Sequence, residues 1–474
     1  MDKSSVVLEI GGCFTKCGFS PESTPRFILP TNLLPLSIST YLSSGTVYDN
    51  TNNINDKKPT LPTQNQLKES LYDFIHSLYF EYLLVKSDER KLIIVENLYL
   101  PRLFRQCLVS VLFEQFKVPL IVFVNPLACL VPILKNTALI IDCGYSESRV
   151  YPVYEGIGVV KAFETISLGF QILENQLHYK LLKDSATIIK DNKKNQMIID
   201  PDNNLALLSK YIGDSDGSNS DNNKRFKETS ILSDIIVKTC LCTINNNSNT
   251  NTNNNVIYKL DKDYSIEISS QIRNKLVDRL YRNEMEQENE SIDQQRVDTF
   301  EEGNLVTMIL DSLLKCEHDQ RKALAHNILL IGGTTMIPGF KRKLVYQLTR
   351  TLDQDDQYVS LKPLAKHFNF IQHPFQANYL SWLGGSLLGN VLDQVHSKIS
   401  IESYLQQRTQ YPSRAVQLPE IENLANINNY TQIISSGINP LQFTRSAQSL
   451  FSPYTSSSDF SAYLPLKSST SSNE

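Results

Sequence analysis

Val6-Val7-Leu8-Glu9-Ile10-Gly11-Gly12-Cys13-Phe14-Thr15-Lys16-Cys17-Gly18-Phe19 opens with a β-forming run, Ser5–Ile10, that closes on a glycine pair. The same grammar recurs twice. Ala138–Ile141 is an apolar strand ending in Asp142-Cys143-Gly144, and Asn327–Ile331 is one ending in Gly332-Gly333. A single strand-to-glycine turn marks no more than a tight turn. Three of them, with mostly alternating strands and helices between, place the chain in the α/β class. Ligands of such folds sit beyond the carboxyl ends of the strands, where glycine turns expose backbone N–H groups. Two of the turns carry a carboxylate at the strand end, Glu9 and Asp142, and Lys16 follows the first. Facing acids with nearby amides and one lysine suit a metal-bound nucleoside polyphosphate: amides and lysine take phosphate oxygens, and the acids hold the Mg²⁺ hydration shell.

Between these turns the spacing Leu67, Leu71, Phe74, Ile75, Leu78, Tyr82 predicts an amphipathic helix. Leu92–Val95 and Leu120–Val124 read as buried strands. Pro101 opens a helix burying Leu103, Cys107, Leu108, Val111 and Leu112, and Leu127–Leu134 is a helical segment. Arg149–Tyr154 alternates like the partner of a hairpin. Leu305–Leu314 presents an apolar helix face, and Ala377–Leu392 contains a further glycine pair, Gly384-Gly385. Residues 31–66 have few periodic apolar positions. Asp214–Asn223 and Asn245–Asn255 are too polar to offset their ordering entropy, Glu284–Glu302 is acidic, and the chain is polar after about 410 and serine-rich from Gln442.

Composition narrows the function classes. Of 474 residues, 41 % are hydrophobic and 20 % charged, and the net charge is −4. That balance argues against attraction to nucleic acid or to an anionic membrane surface, so neither nucleic-acid binding nor membrane insertion is expected. No apolar stretch approaches 18 residues and the N-terminal Val6-Val7-Leu8 is stopped by Glu9, so the default is a reduced, soluble, intracellular protein. The eight cysteines lack paired CxxC spacing, and Cys240-Leu241-Cys242 has no partner pair, so buried thiols are expected rather than disulfides or a metal centre. Lys341-Arg342-Lys343 falls in a predicted helix and is a poor nuclear signal.

The first glycine stretch, continuing to Pro25-Arg26-Phe27 and Pro30, resembles the first phosphate loop of actin and the actin-related proteins. Ile140-Ile141-Asp142-Cys143-Gly144, running on to Pro152-Val153-Tyr154-Glu155-Gly156, resembles their second phosphate loop. Asn327–Phe340, with Gly332-Gly333-Thr334-Thr335-Met336, is similar to their adenosine motif nearly residue for residue, and Ser381-Trp382-Leu383-Gly384-Gly385-Ser386 to the segment returning to the large domain. The four motifs occur in the family's order over residues 6–386. The resemblance weakens across 31–66 and 182–310.

It implies an actin-like two-lobed α/β fold around a nucleotide cleft. On that reading 1–30, 67–132 and 380–410 form the large-lobe core, 31–66 a rewritten small lobe, and 133–180 with 305–379 the second-lobe core. Residues 181–304 form an insertion-rich outer lobe and 411–474 a tail. It also implies that ATP or ADP, with Mg²⁺, is held by Glu9, Gly11, Gly12, Lys16, Asp142, Gly144, Gly332, Gly333, Thr334 and Met336. Catalytic residues are not expected. The family has Asp where Glu9 stands, and the added methylene carries the carboxylate about 1.5 Å further into the site. A loop glycine is replaced by Cys13, and an acid by Tyr145. The glutamine and histidine that handle the hydrolytic water align with Asn125 and Arg149, so hydrolysis is not expected. The lysine and glutamate framing adenine fall on Ile236 and Val237.

Residues 31–66 retain none of the family sequence that enters the neighbouring subunit of a filament. A subunit with one intact and one rewritten face joins an end and is not followed. The resemblance therefore implies a structural cap at the pointed end of an actin-like filament, as in dynactin, the activator of cytoplasmic dynein. Its partners would be actin-like filament subunits and the pointed-end dynactin subunits, in a cytoplasmic, cytoskeletal hetero-oligomer. The alternatives are an actin-related subunit of a nuclear chromatin-remodelling complex, or an ATP-dependent enzyme on the same fold, as in sugar kinases and heat-shock ATPases. The enzyme reading needs an acid or glutamine near the γ-phosphate, and Asn125 and Tyr145 speak against it.

Overall fold

A computed structural model of the chain describes residues 3–31, 63–97, 100–183, 188–192, 195–198, 211, 230–244, 255–281, 303–389, 397–411 and 415–419. Its strands run in chain order as β1 (Val6–Ile10), β2 (Phe14–Phe19), β3 (Phe27–Pro30), β4 (Leu92–Val95) and β5 (Leu120–Val124). There follow β6 (Ala138–Cys143), β7 (Ser148–Tyr154), β8 (Ile157–Gly158), β9 (Glu164–Ile166), β10 (Ile188–Asn192) and β11 (Asn195–Ile198). The last are β12 (Val256–Lys259), β13 (Tyr264–Ile268), β14 (Ile328–Ile331) and β15 (Lys398–Ser400).

The strands build a six-stranded sheet in the order β15-β5-β4-β1-β2-β3 and a five-stranded sheet β14-β6-β7-β8 with β9 on β7. The two share one plan. In the first, β1 turns back on β2 and runs parallel to β4; in the second, β6 turns back on β7 and runs parallel to β14. Side chains alternate faces along a strand, and here both faces are buried. Val6, Leu8, Ile94, Ile121 and Phe123 join an outer layer with the helices Gln64–His76 and Arg102–Glu114. Leu139, Ile141, Ile328 and Leu330 join the opposite outer layer, with Leu305–Lys315 and Phe340–Gln354. The alternate residues, Val7, Ile93 and Val122 from the first sheet and Ile140 and Leu329 from the second, meet in one central layer. Burial on both faces explains why these strands read as unbroken apolar runs.

Helix Leu380–Leu388 and the 3₁₀ turn Pro126–Leu130 fill that central layer. Their contact is close enough that a Cβ on Gly384 would lie 2.0 Å from the Ala128 carbonyl oxygen, which is what the glycine pair of this helix is for.

Several boundaries move from the sequence reading. The first helix opens at Gln64, where Thr63 and Gln66 form a capping box, so 63–66 belong to it rather than to the irregular stretch. The rewritten lobe lies otherwise outside the described residues over 32–62. Residues 188–268 contain a four-stranded sheet, β11-β10-β13-β12, whose Ile188, Ile266 and Ile268 pack with Ile235 and Ile236 of helix Ile231–Thr239. The polar run 214–223, the Asn run from 245 to 254 and the acidic stretch 284–302 lie outside the described residues. Beyond 410, Val416 and Leu418 pack on the outer layer of the six-stranded sheet, and Arg105 Nη2 donates to the Pro419 carbonyl at 2.7 Å. All eight cysteines are free, and all but Cys13 are buried.

Candidate functional site

The carboxyl ends of β1 and β6 bring their hairpin turns together. A Cβ on Gly12 would stand 3.6 Å from Ser146 Oγ and 3.7 Å from the Tyr145 side chain, so the two loops face each other at contact distance. The third turn is fastened to the second: Thr334 Oγ1 donates to the Gly144 carbonyl at 2.7 Å, and Gly332 N–H donates to Ala377 at 3.0 Å. Gly332 adopts φ +89° and a Cβ there would fall 2.2 Å from the Cys143 carbonyl oxygen. Only glycine fits that approach.

Most of the residues that the sequence nominates thus converge. Glu9, Gly11, Gly12 and Lys16 lie on the first hairpin, and Asp142 and Gly144 on the second. Gly332, Gly333, Thr334 and Met336 form the third turn. Their roles divide. The N–H groups of Gly11 and Gly144 close their own turns, donating to Phe14 and Glu147 carbonyls at 3.1 and 3.0 Å. Among the described residues the amides of Gly12 and Cys13 donate to nothing, which leaves them for a ligand. Thr334 is buried and straps the turns together, whereas Gly333 borders open space: a Cβ added to it would meet no atom within 4 Å.

The charges are already matched inside the site. Lys16 Nζ lies 2.5 Å from Glu9 Oε1. Arg149 Nη1 lies 3.6 Å from Asp142 Oδ2, and its Nη2 is ion-paired with Glu147. Tyr145 donates its hydroxyl to Glu174 at 2.7 Å, and Ser233 donates to the other oxygen of Glu174. Burial pushes the Glu9 carboxyl up, with Lys16 opposing and Asp142 adding to the rise. Burial likewise pushes the Cys13 thiol up to about 12, helped by Glu174, so Cys13 is neutral. Asn125 accepts a hydrogen bond from Leu127 N–H at 3.0 Å, capping the turn that follows it. Ile236 is fully buried in helix Ile231–Thr239 and offers no polar frame for a base.

These residues fit a nucleoside polyphosphate: open space beside Gly333, two uncommitted loop amides, and Lys16 together with Arg149, whose Nε is buried without a hydrogen-bond partner. They do not fit a divalent cation in the same way, because each strand-end acid already faces a cation and the third acid position is a tyrosine. Sequence reasoning missed Glu147, Glu174 and Ser233. Glu174 and Ser233 reach the site from helices far along the chain, without a local signal. Glu147 could have been found by counting the hairpin from Asp142.

Next to the cleft, Glu96 follows β4 and pairs with Arg105 Nε at 2.9 Å, while the guanidinium lies 4.1 Å from the Phe123 ring centroid. Burial outweighs Arg105 and raises the Glu96 carboxyl to about 7. The folded state therefore holds this proton more tightly than the unfolded state. Glu96 contributes most below its ordinary value of 4.5, and that contribution is lost as pH rises through about 7. Urea midpoints measured across this window are expected to fall less steeply with pH in Glu96→Gln than in the parent; parallel curves would show that Glu96 does not titrate there.

Two opposed α/β sheets of one plan, with hairpin loops and a glycine turn meeting at their carboxyl ends, define the actin-like class of cleft protein. The chain belongs to the actin family, whose model matches residues 1–416. Along nearly its whole length it is similar to actin-related protein 10 of Dictyostelium discoideum, 52 % identical over 484 aligned positions that cover 98 % of this chain and 99 % of that protein. It is also 24 % identical to the SWI/SNF and RSC complexes subunit arp42 of Schizosaccharomyces pombe, over 84 % of this chain and 95 % of that protein. Actin-related protein 4 of Oryza sativa subsp. indica is 22 % identical over 85 % of this chain and 98 % of its own length. No helix among the described residues is long and apolar enough to cross a membrane.

Proposed function

We infer that the chain is a structural, non-hydrolysing actin-related subunit that caps the pointed end of an actin-like filament in dynactin and so supports dynein-driven transport. The observation that carries the non-enzymatic reading is the state of the two water-handling positions. Asn125 spends its side-chain oxygen on a helix cap, and Arg149 is a permanently charged guanidinium held by two acids. The cap turns Asn125 toward the backbone, and a guanidinium cannot take a proton from a water. The capping reading rests on the resemblance of the motifs to the pointed-end member of the family and on the rewritten 31–66 segment. The much higher identity to actin-related protein 10 than to the remodelling-complex subunit favours it over the chromatin reading. ATP or ADP is bound at Lys16, the Gly12 and Cys13 amides and the Gly332-Gly333 turn as a fixed structural ligand.

Affinity isolation of the tagged full-length chain from its own cells tests this reading. Dynactin and dynein subunits are expected, together with phosphate release from ATP no faster than background. Recovery of chromatin remodellers without dynactin, or sustained turnover, would overturn it.

A further inference from the structure

The two hairpins of the cleft carry the same device. Glu9 stands directly opposite Lys16 across β1 and β2, and Asp142 directly opposite Arg149 across β6 and β7. Opposed residues in an antiparallel pair have Cβ atoms about 4.5–5.5 Å apart, so an acid and a base placed there meet by register alone. Both pairs lie in the cleft wall with side chains less than one-fifth exposed, and Arg149 also holds Glu147. One polar atom of each hairpin remains buried without a hydrogen-bond partner: Glu9 Oε2 and Arg149 Nε.

A divalent metal on a polyphosphate is held through carboxylates facing its water shell, and it works by cancelling phosphate charge. Here each strand-end acid already faces a cation of the chain itself, so neither is free to face the water shell of a metal. The protein supplies a second fixed cation, Arg149, at the start of β7, just after the loop whose Tyr145 and Ser146 face Gly12. Nη1 and Nη2 face Asp142 and Glu147, while the buried Nε–H has no partner; the guanidinium keeps N–H donors for a phosphate oxygen, and arginine favours that planar contact.

We propose that the cleft binds its nucleoside polyphosphate without a divalent metal, Lys16 and Arg149 providing the positive charge. The proposal rests on the nucleotide-binding reading above and adds the metal-free state to it. It also accounts for the joint change of the family's metal-facing acids: Glu9 is bound to Lys16, and Tyr145 is turned to Glu174.

The test is calorimetric titration of ATP into the purified, nucleotide-stripped full-length chain, once with Mg²⁺ and once with excess EDTA. The two affinities are expected to agree within about threefold. Arg149→His is expected to bind at least about tenfold more weakly in EDTA than in Mg²⁺. Arg149→Lys, which keeps the charge, should remain indifferent to EDTA, and circular dichroism reports whether each variant folds. Loss of parent binding in EDTA by more than about tenfold would overturn the metal-free proposal and leave nucleotide binding standing. Absence of ATP binding in both buffers would overturn both. Metal indifference that survives in a folded Arg149→His would remove Arg149 from the account.

Discussion

Trp382→Ala is expected to be among the most damaging single substitutions in this chain, lowering stability by about 3–5 kcal/mol. Trp382 is fully buried in helix Leu380–Leu388, in the central layer that both sheets share. Its indole N–H donates to the Val7 carbonyl in β1 at 3.2 Å, and its ring lies so close to β2 that a Cβ on Gly18 would stand 2.9 Å from it. Truncation would leave a cavity between rigid strands that cannot collapse, and would strand an indole partner as well. The damage would reach the cleft, because the indole is bonded to β1 at Val7, two residues before Glu9. Trp382→Phe, which keeps most of the ring, should lose distinctly less. Trp382 is the only tryptophan, so urea unfolding of the variants is followed by far-ultraviolet circular dichroism. An alanine variant with an unchanged midpoint would show that the layer can repack and that the two sheets do not depend on this wedge.

The same residues show how much of the fold is legible in sequence. The strands next to the cleft are legible because each is buried on both faces, so Val6–Ile10, Leu92–Val95, Leu120–Val124 and Ala138–Cys143 stand out as apolar runs ending at turns. The four-stranded sheet is not legible. β10 and β12 mix Ile with Lys, Asp and Tyr, and the polar runs around them dilute any periodicity. At the site, the position of Glu9, Lys16 and Asp142 follows from strand ends and glycine turns. What residue types alone do not supply is partner identity. Taken singly, Lys16 reads as a free phosphate ligand and Arg149 as a lost histidine, whereas hairpin register sets each against an acid. Register can be counted from Gly11 and Gly144. The reach of Glu174 and Ser233 into the site cannot, since it depends on how distant helices dock.

The second large effect is expected from Lys343→Ala, at about 3–5 kcal/mol. In the run Lys341-Arg342-Lys343, a surface charge cluster by sequence, the first two residues are exposed and Lys343 is buried. Its Nζ lies 2.8 Å from Asp278 Oδ1 and donates to the Thr243 carbonyl at 2.6 Å, so one ammonium ties helix Phe340–Gln354 to the turn Leu276–Tyr281 and to the chain just after Cys242. Removing the lysine would take away the ammonium that faces a buried carboxylate and the donor to the Thr243 carbonyl, and that cost exceeds the net worth of the pair itself. The pairing can therefore be separated from the packing. Replacing both partners with apolar residues of similar size, Lys343→Met with Asp278→Leu, should recover most of the loss that Lys343→Ala incurs, because neither charge is then desolvated. Concentrated salt should change the parent little, since a buried pair is poorly screened. If the single and double variants unfold at the same urea concentration, the charge pair is not what the alanine removes. The lost support of Thr243 and of the aliphatic stem would then carry the effect.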